Sequence, residues 1–165
     1  MHKVAILLAT YDPGPYIKEL VGSIASQSYK DFKIYWGDDG SDESQLLMIR
    51  ELLESFTFEE FHFKRIGATQ NFLQLLKQTS EEYIAFCDQD DLWRTDRLLE
   101  GYLSLKEEAG PAISSSQVRI MDSKKVWPKR RAKLSFAKSL YENLMIGCTI
   151  TMNPDAVKMM KKFIP

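Results

Sequence analysis

The most constraining feature of the sequence is an apolar run that leads directly into a cluster of carboxylates. Residues 83–87 are apolar or aromatic, and Asp88-Gln89-Asp90-Asp91 follows at once. A short apolar run bounded by polar residues predicts a buried strand. Like charges about 4 Å apart repel by roughly 4 kcal/mol at an effective dielectric constant near 20, so the three carboxylates are expected outside the core. The alternatives are an acidic loop that merely ends the strand and a site that faces a cation.

Strand-like and helix-like segments alternate along the chain. Residues 4–9 are continuously apolar, as expected for a strand covered on both faces. Further strands are predicted at residues 31–36, 61–66, 83–87, 112–120 and 146–152. Segments whose apolar residues have helical spacing lie between the predicted strands. Ser44 and Thr95 are expected to cap two of the helices, and Asn153-Pro154 begins the last one. The alternation predicts an α/β fold, a sandwich with a mostly parallel central sheet.

Composition narrows the class of protein. The 165 residues fit one domain, and 44% hydrophobic with 27% charged residues is ordinary for a globular protein. A formal net charge of -1 gives no basic field that would favour nucleic acid. Cys87 and Cys148 lie in apolar, strand-like runs and are expected to be reduced, buried thiols of a cytosolic protein.

The polar residues that follow three of the predicted strands are the candidate site. They are Thr10-Tyr11-Asp12, Asp38-Asp39 and the acidic cluster at residues 88–91. In mostly parallel sheets, ligands bind outside the carboxyl ends of the strands, so these segments are expected to share one edge. Asp38 and Asp91 have an equally good structural explanation, as carboxylates that bind turn N–H groups.

An Asp-x-Asp at a strand end suits a hard divalent cation, Mg²⁺ or Mn²⁺, which takes oxygen ligands and often binds phosphates as well. Such a cation would bridge the carboxylates and a diphosphate. Asp39 can accept a hydrogen bond from a base imide or a ribose hydroxyl, and Tyr11 can stack on a base. Neither a P-loop nor a GxGxxG motif is present, so a glycine loop does not cradle the phosphates.

Four segments in order carry a family resemblance: Ala5-Ile6-Leu7-Leu8-Ala9-Thr10-Tyr11-Asp12, Ser23-Ile24-Ala25-Ser26-Gln27-Ser28-Tyr29, Asp38-Asp39-Gly40-Ser41-Asp42 and Phe86-Cys87-Asp88-Gln89-Asp90-Asp91-Leu92-Trp93. Together they resemble the N-terminal half of a family 2 glycosyltransferase with the GT-A fold, a Rossmann-like α/β/α sandwich. The Asp-Gln-Asp-Asp-x-Trp form is similar to the rhamnosyltransferase-like branch of that family.

The resemblance implies a metal-dependent, inverting transfer of sugar from a UDP- or dTDP-sugar to a hydroxyl of a saccharide or lipid-linked acceptor, in cell-surface polysaccharide synthesis. It implies a cytoplasmic location with peripheral contact at the inner face of the membrane. Residues 1–110 would form the nucleotide-sugar-binding half and residues 111–165 a partial acceptor-side half. Asp90 and Asp88 would bind the metal, and Gly147, Cys148 and Thr149 would lie on the acceptor side. The implied nucleotide-binding residues are Thr10, Tyr11, Asp12, Asp39, Asn71, Asp88 and Gln89.

The resemblance leaves the catalytic base unassigned. The family supplies it as a carboxylate some way after the Gly-Cys-Thr segment, and the only carboxylate after Gly147 is Asp155, which fits the first turn of a helix better. The chain is therefore expected to be C-terminally truncated. The alternative is a donor-binding module without turnover. A receiver-like phospho-acceptor domain is disfavoured, because its acidic pair after the first strand and its lysine after the last are missing.

Two basic segments have open alternatives. Lys129-Arg130-Arg131 can close over a diphosphate, meet an anionic lipid surface or form a solvated loop. Met159-Met160, flanked by lysines, can touch a membrane or belong to a frayed terminal helix. Trp93 is expected to pack in the core.

Overall fold

A six-stranded sheet forms the centre of the molecule. The computed structural model describes residues 3–120, 123, 125–127 and 147–164. In spatial order the strands are β3 (Phe58–His62), β2 (Phe32–Asp38), β1 (Val4–Thr10), β4 (Tyr83–Asp88), β8 (Ile150–Met152) and β5 (Ile113–Ser115). Strands β1 to β4 are parallel, whereas β8 runs antiparallel to both of its neighbours. A separate ribbon pairs β6 (Val118–Arg119) with β7 (Val126–Trp127).

Helices cover both faces of this sheet. On one face pack α1 (Ile17–Ala25), α2 (Glu43–Leu53) and α4 (Arg97–Leu103), and on the other α3 (Ala68–Gln78) and α5 (Pro154–Lys161). All seven residues of β1 are buried, because alternate side chains belong to the two cores. The predicted α/β sandwich with a mostly parallel sheet is confirmed. Trp93 lies in the core, as expected.

The third strand was predicted at the wrong place. It runs from Phe58 to His62 and pairs with β2, and after it the N–H groups of Phe63 and Arg65 donate to the carbonyls of Asp38 and Asp39. Arg65 has a left-handed φ of 54°, and the carboxylate of Asp39 accepts the N–H groups of Ile66 and Gly67. The turn is therefore held by a side chain from another strand, which the weak alternation of residues 61–66 does not reveal.

The two strands predicted near the C-terminus are also shorter than expected. Gly147–Thr149 forms a 3₁₀ turn, so Cys148 is not in a strand, and only Ile150–Met152 continues as β8. Residues 112–120 do not form one strand, since Ile113–Ser115 pairs with β8 and Val118–Arg119 with β7. The turn at 147–149 ends the β8 ladder, so β5 has only three residues to pair with.

The helix boundaries show which caps were predicted correctly. Asn153 caps α5 as expected, because its side chain accepts the N–H of Ala156 at 3.0 Å. Asp42 caps α2 instead of Ser44, whose hydroxyl donates to the Asp42 carboxylate. Helix α4 begins at Arg97, after Asp96 and not after Thr95. The basic segment Lys129-Arg130-Arg131 lies outside the described residues.

Candidate functional site

The three predicted strand ends lie side by side at one edge of the sheet. In the parallel ladders Thr10 is level with Asp38, and Ala9 is level with Asp88. Strand β1 therefore ends between the loops that follow β2 and β4. This arrangement gathers the segments at residues 10–12, 38–39 and 88–91 into one surface region, which we call the acidic edge.

Asp38 and Thr10 are structural parts of this edge. The buried Asp38 carboxylate accepts the N–H groups of Gly40 and Ser41 at 2.9 and 2.7 Å and the Ser41 hydroxyl at 2.6 Å. It also accepts the Thr10 hydroxyl at 2.7 Å, and that hydroxyl in turn accepts the indole N–H of Trp36 at 2.8 Å. The single hydroxyl proton of Thr10 is thus used within the protein. Of the two explanations for Asp38, the geometry fits the structural one.

Asp39 joins the end of β2 to the start of α3. Its two carboxylate oxygens accept the N–H groups of Ile66 and Gly67, each at 2.7 Å, and only 6% of the residue is exposed. A carboxylate oxygen has about two acceptor positions, so each oxygen keeps one for a further donor. Asp39 therefore fixes the turn before α3 and can still receive a hydrogen bond from a ligand.

Tyr11 is the exposed aromatic residue of the acidic edge. Its ring is 42% exposed, and the Arg65 guanidinium lies 5.5 Å from the ring centroid. The side chain of Gln89 binds the Tyr11 backbone twice, accepting its N–H at 2.7 Å and donating to its carbonyl at 3.0 Å. Asp12 has a left-handed φ of 47°, and its N–H donates to the Ser41 hydroxyl at 2.9 Å. The loop is held through its backbone, and the ring remains partly exposed with the Arg65 guanidinium near it.

The carboxylates after β4 differ in their surroundings. Asp88 is half-buried and accepts the N–H of Gln89 at 3.0 Å. Burial raises the pKa of Asp88, and the nearby charges of Asp90 and Asp91 add to this effect. Asp90 is exposed, and its carboxylate makes no hydrogen bond within the described part of the chain. Asp91 is half-buried and hydrogen-bonded to the Cys148 thiol.

These carboxylates fit a hard divalent cation that completes its coordination on a ligand. Within the part of the chain that the structure describes, no group of three or more His, Cys, Asp or Glu side chains is arranged to hold a metal ion. Mg²⁺ usually takes one or two carboxylates together with substrate phosphates, so Asp88 and Asp90 match that donor set. Burial, and to a smaller extent the charges of Asp90 and Asp91, raises the pKa of Asp88, and a nearby cation would favour the charged form of this carboxylate.

The turn Gly147–Thr149 packs beside the acidic edge. Burial raises the pKa of the Cys148 thiol to about 12, and the hydrogen bond with Asp91 and the charges of Asp91 and Asp88 add to this effect. Thr149 is buried, and its hydroxyl lies 2.7 Å from that of Ser115. Gly147 is exposed. The structure thus brings the predicted acceptor-side segment next to the predicted metal carboxylates.

Asn71 lies below the edge instead of on it. It is 1% exposed, and its side-chain NH₂ donates to the carbonyl of Gly37 at 2.8 Å. Its side-chain oxygen has no hydrogen-bond partner within the described residues. Asn71 was predicted to bind the nucleotide, and its observed contacts fasten α3 to β2.

Sequence reasoning did not single out Arg97. This arginine is 9% exposed, and its guanidinium stacks 4.3 Å from the Trp93 ring centroid. It donates to the carbonyl of Cys148 at 3.0 Å, the carbonyl of Phe86 at 3.4 Å and the hydroxyl of Thr151 at 3.3 Å. Arginine in a first helical turn is ordinarily solvated, so no local signal marks it.

A second unpredicted group is the pair Gln27 and Ser23 at the end of α1. Gln27 is fully buried, donates to the carbonyl of Arg94 at 2.7 Å and accepts the N–H of Leu98 at 3.0 Å. The Ser23 hydroxyl accepts the N–H of Trp93 at 3.1 Å. Both residues lie in the motif at residues 23–29, and they hold the chain where it leaves the acidic cluster. In the sequence, the signal that could have marked Gln27 and Ser23 was their presence in that motif.

Comparison with known proteins gives a consistent result. The model of the family described as Glycosyl transferase family 2 matches residues 5–164. The dTDP-rhamnosyl transferase RfbG of Shigella flexneri is 28% identical over 95% of this chain and 57% of its own length. The Escherichia coli protein WfaP, described as a UDP-Glc:alpha-D-GlcNAc-diphosphoundecaprenol beta-1,3-glucosyltransferase, is 28% identical over 77% of this chain and 44% of its own length. The chain thus spans about half the length of these two relatives.

Solved structures agree on the fold. Staphylococcus aureus TarS residues 1–349 in complex with UDP-GlcNAc has a TM-score of 0.58 at 24% identity, over 64% of this chain and 31% of that one. The Pyrobaculum calidifontis mannosyltransferase PcManGT in complex with GDP-Man and Mn²⁺ has a TM-score of 0.59 at 20% identity, over 66% and 34%. The expected GT-A fold is confirmed. None of the helices among the described residues is long and apolar enough to cross a membrane.

Proposed function

Because this chain belongs to glycosyltransferase family 2, we propose that it binds a nucleotide-diphospho-sugar, a UDP- or dTDP-sugar, for transfer of the sugar to an acceptor hydroxyl. The reaction we propose inverts the anomeric carbon and serves the synthesis of a cell-surface polysaccharide, with a saccharide or lipid-linked acceptor. The observation that carries the proposal is the acidic edge, where Tyr11, Asp39 and Asp88 come from three adjacent strand ends. The relatives named for dTDP-rhamnosyl and UDP-glucose transfer support it.

Each residue of the edge has a chemical task in this proposal. The exposed ring of Tyr11 stacks on the base. The remaining acceptor positions of Asp39 accept a hydrogen bond from an imide N–H of the base or from an O–H of the ribose. Asp88 lies beside the ribose and, with Asp90, would hold Mg²⁺ or Mn²⁺. When bound, the cation would neutralise the diphosphate and stabilise its charge as a leaving group. Thr10, Asp12, Asn71 and Gln89 support these groups through the contacts described above.

The acceptor is expected to approach over the turn Gly147–Thr149. This turn packs against β4 and lies next to Asp88 and Asp91, so an acceptor hydroxyl there faces the donor. Residues 1–110 would then be the donor half and residues 111–165 part of the acceptor half. No described residue is assigned as the base that removes the acceptor proton.

Calorimetry with UDP and dTDP tests the proposal. The wild-type chain is expected to bind one of these nucleotides in the presence of Mn²⁺ and much more weakly with EDTA. Asp90→Asn is expected to remove the Mn²⁺-dependent part of the affinity without changing the fold, because Asp90 is exposed and makes no hydrogen bond with the described residues.

The matched control is Asp96→Asn. Asp96 is half-buried and pairs with Arg94 at the surface, and this change removes a carboxylate outside residues 88–91. The control is expected to leave Mn²⁺-dependent binding intact. Nucleotide binding that does not depend on metal, or no nucleotide binding at all, would contradict the proposed function.

A second candidate is a nucleotide-sugar-binding module without turnover. The observation that favours it is the position of Asp155, a carboxylate that follows Gly147 and lies in the first turn of α5 behind the Asn153 cap. A carboxylate at a helix N-terminus is stabilised in its charged form by the helix dipole, which makes it a weaker base. Donor hydrolysis or transfer by the 165-residue chain, measured as released nucleotide diphosphate, would exclude this candidate.

We also propose that the protein is cytoplasmic and makes peripheral contact with an anionic membrane. The end of α5 is the feature that supports this contact. Met159 and Phe163 are 48% and 79% exposed, and Lys158 and Lys162 are exposed beside them. Apolar side chains with adjacent cations are typical of a surface that meets anionic lipids. Co-sedimentation with phosphatidylglycerol vesicles, compared with phosphatidylcholine vesicles, tests this contact.

A further inference from the structure

Gln89, the glutamine within the acidic cluster, lies where the ladder between β1 and β4 ends. The parallel ladder between β1 and β4 ends where Ala9 is level with Asp88. The Asp88 carboxylate then accepts the N–H of Gln89 at 3.0 Å, and the main chain turns away at residues 89–90. The backbone of Tyr11 therefore has no peptide group of β4 beside it at this point.

The side chain of Gln89 takes the place of that missing peptide group. Its oxygen accepts the Tyr11 N–H at 2.7 Å, and its NH₂ donates to the Tyr11 carbonyl at 3.0 Å. A primary amide has one carbonyl and an N–H donor, as a peptide group does, so it can continue a strand ladder by one rung. Methionine has the length without the hydrogen bonds, and glutamate at neutral pH has no donor for the Tyr11 carbonyl.

The Tyr11 loop is held from its other side as well. The N–H of Asp12 donates to the Ser41 hydroxyl, and that hydroxyl donates its proton to Asp38. Asp12 adopts a left-handed φ of 47°, which costs a non-glycine residue free energy and persists only when neighbouring contacts impose it. The backbone at residues 11–12 is thus fixed between the loops that follow β2 and β4.

We propose that Gln89 is a positioning residue that couples two parts of the donor site. It sets the orientation of Tyr11, which faces the base of a nucleoside diphosphate, relative to Asp88 and Asp90, which face the cation and diphosphate. Base recognition and diphosphate recognition then act as one unit. This inference rests on the proposed function, and it assigns Gln89 an action through Tyr11 instead of a direct contact with the ligand.

The experiment compares Gln89→Met with wild type in three measurements. Exchange of the Tyr11 amide proton, followed by NMR, is expected to be at least about tenfold faster in the variant, because the amide loses its acceptor. The affinity for UDP with Mn²⁺ is expected to fall about 5- to 10-fold, as for one or two lost hydrogen bonds. The affinity for inorganic pyrophosphate with Mn²⁺ is expected to stay within about twofold, since Asp88 and Asp90 are intact.

Two further variants complete the test. Gln78→Met makes the same substitution at an exposed site at the end of α3, and it is expected to behave as wild type in all three measurements. In a Tyr11→Ala background, Gln89→Met is expected to have no further effect on UDP affinity, because the residue that it positions is gone. A circular dichroism melt checks that each variant is folded.

The outcomes separate this inference from the function on which it rests. Failure of the wild-type chain to bind UDP with Mn²⁺ would overturn the proposed function and the coupling with it. If wild type binds UDP and Gln89→Met binds it equally well, the coupling alone is wrong. A loss of pyrophosphate affinity as large as the loss of UDP affinity would mean that Gln89 contacts the diphosphate directly, which also overturns a positioning role.

Discussion

The two aspartates that end β2 have different tasks from the aspartates that follow β4. Asp38 accepts four hydrogen bonds from its own surroundings and Asp39 accepts two. The Asp90 carboxylate accepts none from the described residues. Identical side chains thus divide into those that build the edge and those that face outward. A change at Asp38 is therefore a change to the fold, whereas a change at Asp90 tests the proposed binding of a ligand.

Gly37 is the glycine on which the packing of α3 against the sheet depends. A Cβ atom at this position would lie 2.2 Å from the side-chain oxygen of Asn71 and 3.0 Å from the side chain of Leu75. Both neighbours are buried, so neither can move aside freely. We predict that Gly37→Ala lowers the free energy of unfolding by roughly 1–3 kcal/mol, measured by urea denaturation.

Gly22 provides the control for this prediction. It lies in α1, where an added Cβ would meet nothing within 4 Å. Gly22→Ala is expected to be neutral or to stabilise by up to about 1 kcal/mol, because alanine favours a helix interior. Equal stabilities of Gly37→Ala and wild type would show that α3 does not approach β2 as described.

Among the elements, α4 connects β4 with the turn Gly147–Thr149 and with β8. Arg97, its first residue, donates to the carbonyl of Phe86 in β4, to the carbonyl of Cys148 in the turn and to Thr151 in β8. Burial lowers the pKa of Arg97, and its closest ring partner is Trp93. The planar guanidinium holds its donors apart in a rigid fork and reaches acceptors in three different elements, whereas a lysine presents its donors on one compact ammonium group.

We therefore predict that Arg97→Lys destabilises the chain by roughly 1–3 kcal/mol, because buried acceptors lose their donor. Faster hydrogen exchange is expected at residues 149–152, measured by mass spectrometry. Arg94→Lys is the control, since the Arg94 side chain is 82% exposed and pairs at the surface with Asp96. That change is expected to stay within about 0.5 kcal/mol. Similar exchange in the two variants would contradict the connecting role of Arg97.

The strands show how far sequence periodicity predicts elements. Strands β1 and β4 lie inside the sheet, and the sequence shows each of them as a continuous apolar run. Both strands begin at the predicted residues. Strand β3 is at the edge of the sheet, and its pattern of polar and half-buried residues is weak. Its end is decided by Asp39, a residue 23 positions before His62 in the chain, and a local window cannot include that contact.

For the molecule as a whole, the acidic edge lowers stability when no cation is bound. The pKa of Asp88 is raised by burial and by two neighbouring carboxylates, so the folded state binds this proton more tightly than the unfolded state. The contribution of Asp88 to stability is thus greatest below its ordinary pKa of about 3.9 and is lost as pH rises through the raised folded pKa. At neutral pH the ionised Asp88 opposes folding.

Asp88→Asn is accordingly expected to raise the melting temperature of the metal-free chain at pH 7, because it removes the half-buried charge. The gain is expected to shrink as pH falls toward 4, where wild-type Asp88 takes up its proton. The same variant is expected to lose Mn²⁺-dependent nucleotide binding. Thermal melts at several pH values in EDTA measure the first effect and calorimetry the second. A lower melting temperature at pH 7 would show that the Asp88 charge stabilises the fold.

The sequence by itself determined the α/β class, the mostly parallel sheet and the segments that form the acidic edge. These properties follow from the burial of short apolar runs and from the rule that parallel strands end at the same edge. Only the tertiary structure decided the roles within the edge. Thr10, Asp38 and Asn71 turned out to be engaged with the protein itself, and Gln89, Gln27 and Arg97 bind atoms of other elements. Such contacts join residues far apart in the chain, so their partners are known only after the strands have taken their places.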